Sequence, residues 1–146
     1  MTELMFVLDV EEGWPPVAKE CMVSTACKGG YRIDVPPLFV KNLSRGDVIA
    51  VDRNENGEVV AWTHVERSRH STVWIMVHGD HSISDVIERL KQLKCNVAEL
   101  EQYHYFSIDV PAECTVEQLD SCLDVLSEDV ASVAFPSFRH GEEEAG

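Results

Sequence analysis

Basic residues are scarce in this chain: 12 Lys and Arg stand against 26 Asp and Glu in 146 residues, for a formal net charge of −14. A surface this acidic repels phosphate backbones and anionic headgroups, which argues against direct binding to nucleic acid or to membrane surfaces. No apolar run approaches the ~20 residues that a membrane-spanning helix requires. The first twelve residues place no basic residue ahead of their short apolar run and put acids directly after it, a poor pattern for a secretory signal. Together these absences predict a soluble cytoplasmic protein. The five cysteines, Cys21, Cys27, Cys95, Cys114 and Cys122, include no Cys-x-x-Cys spacing, so neither a zinc ribbon nor a redox dithiol is expected. Cys122 falls on an apolar helical face and Cys21 in a strand-like run, and buried free thiols are the expectation for both. Also missing are a Gly-x-Ser-x-Gly elbow and a phosphate-binding loop; Lys28-Gly-Gly30 has neither the glycine spacing nor the following helix of a nucleotide fingerprint.

What is present is a legible α+β pattern. From His70 onward the order is strand, helix, strand, strand, helix, strand, which predicts a ferredoxin-like βαββαβ half over residues 70–140. Ser71 to Val77 is a β-branched and aromatic run, and in Ser82 to Lys94 the residues Ile83, Val86, Ile87, Leu90 and Leu93 recur at helical spacing. Asn96 to Glu101, Tyr103 to Val110 and Val130 to Phe135 read as strands, and Thr115 to Ser127 as a second helix. Ser82 with Asp85 and Thr115 with Gln118 have the spacing of capping boxes. The two helices are expected to cover one face of a four-stranded antiparallel sheet, with Leu90 and Leu123 buried.

Residues 1–69 read as a small all-β module, a curled sheet or SH3-like barrel. Short strands are separated by Gly13 with two prolines, by the Lys28-Gly-Gly30 turn, by Pro36-Pro37, by Ser44-Arg-Gly-Asp47 and by Asn56-Gly57, the strongest hairpin signal present. The polar connection Val65 to His70 divides the halves and is too short for a flexible linker, so the halves should pack together. Residues 141–146 lack apolar anchors and are expected to form a disordered acidic tail.

Four motifs carry a family resemblance: Glu12-Gly-Trp-Pro-Pro-Val17 with Glu20 behind it, Tyr31-Arg-Ile-Asp34 followed by Pro37 and Phe39, Leu43-Ser-Arg-Gly-Asp-Val48, and His70-Ser-Thr72. With these the chain resembles a bacterial family designated domain of unknown function 4265. The resemblance implies a small bacterial cytoplasmic protein with no reaction attached to it, and it carries over no functional residue.

Candidate chemistry is thin. His78-Gly-Asp-His81 offers two imidazoles and a carboxylate, yet an i, i+3 pair in a turn fixes no three-ligand face; a solvated turn is the plainer interpretation, and neither metal nor cofactor is called for. His70 and Ser71 are neighbours in a strand and point to opposite faces, so they make no nucleophile and base; His70 is expected to bridge backbone groups from both halves. Trp62 and Trp74 read as core, whereas Trp14, wedged before two prolines, reads as an interface residue. The second helix carries Glu117, Asp120, Asp124 and Glu128 opposite its apolar face with no Lys or Arg among them, a ridge suited to a cationic partner. These features point to a non-enzymatic acidic protein-binding module, an inhibitor or immunity protein for a basic toxin or enzyme, with partner-binding residues Glu117, Asp120, Asp124, Glu128 and Trp14. The alternative is an ACT-like small-molecule-sensing regulatory domain, whose ligand would sit at the loop Gly79 to Ser82 and which leaves a homodimer open.

Overall fold

Period-two alternation over nearly the first half of the chain closes on itself as a barrel. In the computed structural model, which describes residues 1–140, β1 (Thr2–Val7), β2 (Lys19–Cys27), β3 (Gly30–Ile33), β4 (Val48–Arg53) and β5 (Val59–Glu66) form a closed five-stranded barrel. Leu4, Phe6, Met22, Ile33, Leu43, Ile49 and Val59 fill its interior. On β2 the inward positions are Glu20, Met22 and Ser24, and the same alternation turns Cys21 outward. Cys21 is therefore exposed, against expectation, as is Cys27, while Cys122 is buried as expected, together with Cys95 and Cys114. Gly30 is dictated by close approach: a Cβ there would lie 2.0 Å from the Ile49 carbonyl oxygen of the neighbouring strand. At the β4–β5 hairpin, Asn54 Oδ1 accepts the amides of Asn56 and Glu58, and Gly57 takes the positive φ of 77° that closes the turn.

The second half builds a sheet from β6 (Ser71–Val77), β7 (Asn96–Leu100), β8 (Tyr105–Val110) and β9 (Ala131–Ser137), with α1 (Ser84–Gln92) after β6 and α2 (Val116–Leu123) after β8. Its strand order is β7-β8-β6-β9, and every neighbouring pair is antiparallel. Alternation splits β6 and β8 cleanly. Val73, Ile75, Ile108 and Val110 pack with Val86, Leu90, Leu119 and Cys122 of the two helices. Thr72, Trp74, Tyr105, Ser107 and Asp109 take the opposite face, toward the barrel. The molecule is thus layered as barrel, sheet and helices, and Leu90 and Leu123 are both buried.

Several boundaries differ from the sequence pattern. The N-cap of α1 is Ile83, drawn into the core at 5% exposure, and Ser82 hydrogen-bonds Ser84 instead of forming a box with Asp85. The box Thr115–Gln118 on α2 forms reciprocally. That helix stops at Leu123 because Leu126 and Val130 turn back to the carbonyls of Leu123 and Ser127, redirecting the chain into β9. Asp124 is consequently its C-cap, and Glu128 lies in the turn beyond it. A single 3₁₀ turn at Glu101–Tyr103 and a left-handed His104 (φ 50°) delay β8 to Tyr105. Among the described residues no helix is long and apolar enough to cross a membrane. The expected acidic tail at 141–146 lies outside the described residues.

Candidate functional site

The seam between barrel and sheet is polar at one end and aromatic at the other. At the polar end the turn Ser44-Arg-Gly-Asp47 delivers Asp47, fully buried, whose carboxylate accepts the Ser44 amide (3.0 Å), the Ser68 amide (2.8 Å) and Arg139 Nη2 (2.8 Å). Arg139 Nη1 binds the same carboxylate, and His64 Nε2 lies 3.0 Å from it. Burial pushes this carboxyl's pKa up, but the Arg139 hydrogen bonds and charge and the two amides outweigh it and hold it below the usual range. Close by, buried Asp109 receives His70 Nδ1 (2.7 Å), Asn96 Nδ2 (3.0 Å) and Arg45 Nη1 (3.4 Å). The hydrogen bond to Asp109 raises the pKa of His70 despite partial burial. His70 does stand at the junction as expected, but its partner is a carboxylate of β8 and not a pair of backbone groups.

The adjacency of His70 and Ser71 indeed makes no pair, yet the fold supplies Ser71 with another imidazole. His140 Nε2 faces the Pro111 carbonyl at 2.9 Å, which requires its proton there, and its Nδ1 then accepts from Ser71 Oγ at 2.6 Å. Ser71 Oγ also accepts the amides of Arg139 (2.7 Å) and His140 (3.3 Å). With no exposed surface and its lone pairs taken, this hydroxyl is a clasp for the chain's return and not a nucleophile. Ser137, Ser44 and Thr72 form a buried hydroxyl relay that ends on the Leu43 carbonyl. Arg139 with Asp47, Arg45 with Asp109, and Ser44 with Thr72 and Ser137 join the two halves, while the Ser71–His140 clasp lies within the second.

The aromatic end is different, because it opens. Glu12 and Gly13, both at positive φ (53° and 82°), make a tight turn closed by the Glu11–Trp14 bridge, and that turn places Trp14 over the seam. The Trp14 ring sits edge-on to Phe39 (5.6 Å, 81°) and Tyr105 (5.7 Å, 72°), which stack on each other at 5.1 Å. Phe39 is held from behind: buried Glu20 accepts the amides of Leu38 (2.6 Å) and Phe39 (2.8 Å), Tyr105 donates to Leu38 O, and Trp74 Nε1 donates to Pro37 O. Burial raises the pKa of Glu20 more than these amides lower it, and burial likewise raises that of Tyr105.

Between this cluster and the barrel lies a groove of about 730 Å³, walled by Val7 to Asp9 and by Val60 to Trp62, with Phe39, Trp74 and Trp14 along it. The size is that of an ordinary ligand or peptide site. Trp14, Trp62 and Trp74, the only tryptophans of the sequence, all line it. Trp14 is 42% exposed and Val60 53%, while Asp9, Glu11 and Lys41 supply its charges.

The remaining candidates are dispersed. Glu117, Asp120 and Asp124 are exposed along α2 and Glu128 is exposed beyond it, all on the far side of the sheet from the groove. His78 Nε2 bonds Ser132 Oγ at 2.8 Å, His81 is exposed, and among the described residues no three His, Cys, Asp or Glu gather as metal ligands. Sequence reasoning singled out Trp14 but missed Phe39, Trp62, Trp74 and Tyr105 as its companions. The signal available was the clustering of quoted motifs, since Trp14, Glu20, Pro37 and Phe39 all meet here.

A family model described as "Domain of unknown function (DUF4265)" matches residues 20–133. The fold is similar to the crystal structure of a hypothetical protein from Neisseria gonorrhoeae, with a TM-score of 0.75 at 20% identity, over 94% of this chain and 95% of that one. No curated protein matches the chain.

Proposed function

The chain belongs to the domain-of-unknown-function family DUF4265, a membership that attaches no reaction to the fold, and from its geometry we propose a non-enzymatic protein-binding module of the bacterial cytoplasm. Its binding surface is the groove at Trp14. One observation carries this: residues 14, 62 and 74, from a turn and two strands of different sheets, bring every tryptophan of the chain to one opening, and Trp14 stays substantially exposed there. An exposed, rigidly backed tryptophan is the kind of residue that dominates a protein interface, contributing about 2 kcal/mol or more when a partner covers it. The two buried carboxyls Glu20 and Asp47 spend their oxygens on backbone amides and, for Asp47, on Arg139, which supports a structural role for both.

We place contact at the groove and not at the ridge formed by Glu117, Asp120, Asp124 and Glu128, because the sheet separates the two and a single small partner reaches only one. The ridge then serves solubility and long-range attraction of a cationic partner, an effect cut down beyond about 8–10 Å by physiological salt. An inhibitor or immunity role toward a basic protein fits this surface. In architecture, the strand order β7-β8-β6-β9 with two helices on one face supports a ferredoxin-like second half, and the five-stranded barrel an SH3-like first half.

The test is affinity capture from the native cell with the full chain, its Trp14→Ala variant, and the triple variant Asp120→Asn, Asp124→Asn, Glu128→Gln. The expected result is a protein retained by the wild type and the triple variant but lost from Trp14→Ala. If every captured protein binds Trp14→Ala equally, the groove is not the binding surface.

A further inference from the structure

Resting on the groove as the binding surface, we infer that its occupant is an extended segment of a partner protein that alternates Lys or Arg with aliphatic residues and pairs through its main chain with β5. The evidence lies in how the barrel closes. β1 and β5 run parallel and meet through a single residue pair, Phe6 with Val59, beyond which the two strands part and become the walls of the groove. β5 is hydrogen-bonded to β4 along its length, but toward β1 it has no ladder partner after Val59 among the described residues. Bare strand N–H and C=O groups are satisfied by another extended chain; a helix, whose main chain is already paired internally, leaves them unmet.

The register of β5 also limits how much chain fits. Asp52 pairs with Ala61 and Arg53 with Val59, so Val60 is an extra residue; Ile49 pairs with His64 and Val48 with Glu66, so Val65 is another. These two bulges push Val60 and Val65 outward, to 53% and 52% exposure, and leave only Ala61 to His64 as regular edge between them. The docking run is therefore short, about one turn-to-turn stretch of a peptide.

Charge chooses the side chains. Asp9 and Glu11 stand at the groove against the single Lys41, on a chain of net charge −14. A cation entering there meets two carboxylates and the exposed Trp14 ring, which attracts it through its π face. A second copy of this chain brings the same excess of acid and the same bulged edge, so a homodimer through this surface is disfavoured.

The probe is a blocked hexapeptide alternating arginine and valine, titrated against the full chain by tryptophan fluorescence and by amide chemical shifts. Two controls accompany it: the same peptide with glutamate for arginine, and one with alternate main-chain amides N-methylated. Saturable binding below millimolar concentration is expected, with the shifts concentrated in residues 60–64. N-methylation and the double variant Asp9→Asn, Glu11→Gln should each weaken it at least tenfold, and the glutamate peptide should not bind. Equal binding of the glutamate peptide overturns the charge assignment, equal binding of the N-methylated peptide overturns strand pairing, and absence of binding by the arginine peptide overturns both. If any of these occurs while cellular capture still depends on Trp14, the inference fails and the groove assignment stands; if capture does not depend on Trp14, the groove assignment itself has failed.

Discussion

Replacing Asp47 by Asn tests whether the polar seam is what holds barrel and sheet together. The wild-type carboxylate is fully buried and serves two backbone amides, both terminal nitrogens of Arg139 and the His64 ring. In the variant Arg139, 3% exposed, keeps its charge but loses its counter-ion. Stranding one member of a buried pair costs about 3–5 kcal/mol, a large part of the roughly 5–15 kcal/mol that a domain of this size has in total. With about 2–4 °C lost per kcal/mol, Tm should fall by roughly 6–20 °C. Arg139→Met should cost less, about half, because Asp47 would still hold the two amides and His64. The assay is urea unfolding at pH 7, with the m-value unchanged if the native state keeps its compactness. The pH dependence is a second readout. Because the Asp47 pKa is lowered in the fold, its contribution is present above the unfolded value near about 3.9 and is lost as pH falls through the folded value. An Asp47→Asn cost below about 1 kcal/mol, or a larger cost for Arg139→Met, would refute this account of the seam.

Four further outcomes follow from single contacts. His70 has a raised pKa, so its bond to Asp109 should stabilise fully below about pH 6.5 and fade as pH rises through the folded value; the gap in urea midpoint between wild type and His70→Gln should shrink from pH 5.5 to 8.5. Gly30→Ala should lower stability by about 2–3 kcal/mol or prevent folding, measured by Tm, since the new Cβ meets backbone that cannot swing away. Thr115→Ala removes the cap of α2 and should cost about 1 kcal/mol in the same melt, with function unaffected. The buried Cys95 thiol, pushed up to about 12 chiefly by burial, should resist iodoacetamide in the native protein while Cys21 and Cys27 react, as read by mass spectrometry.

Much of the architecture was written locally. Val86, Ile87 and Leu90 lie on one side of any helix, Thr115 and Gln118 close a box within one turn, and Asn56-Gly57 suits a hairpin turn whatever surrounds it. Such signals depend on neighbours a few residues away, so the sequence by itself determined element type, element order, the acidic surface and the exclusion of familiar catalytic motifs. Where a signal was two-sided, it failed: β2 has apolar residues on both faces, and only the closed barrel decided that Met22 goes in and Cys21 out. The end of α2 and the position of Glu128 were likewise set by the need to reach β9, which no helical period encodes. The groove and the seam belong wholly to tertiary structure. Asp47 meets Arg139 across 92 positions, and Trp14, Trp62 and Trp74 converge only because the barrel packs on the face of the sheet away from the helices. Periodicity tells a residue which way to face along its own strand; what it faces depends on which layer packs opposite, and that is fixed by the free energy of the whole chain.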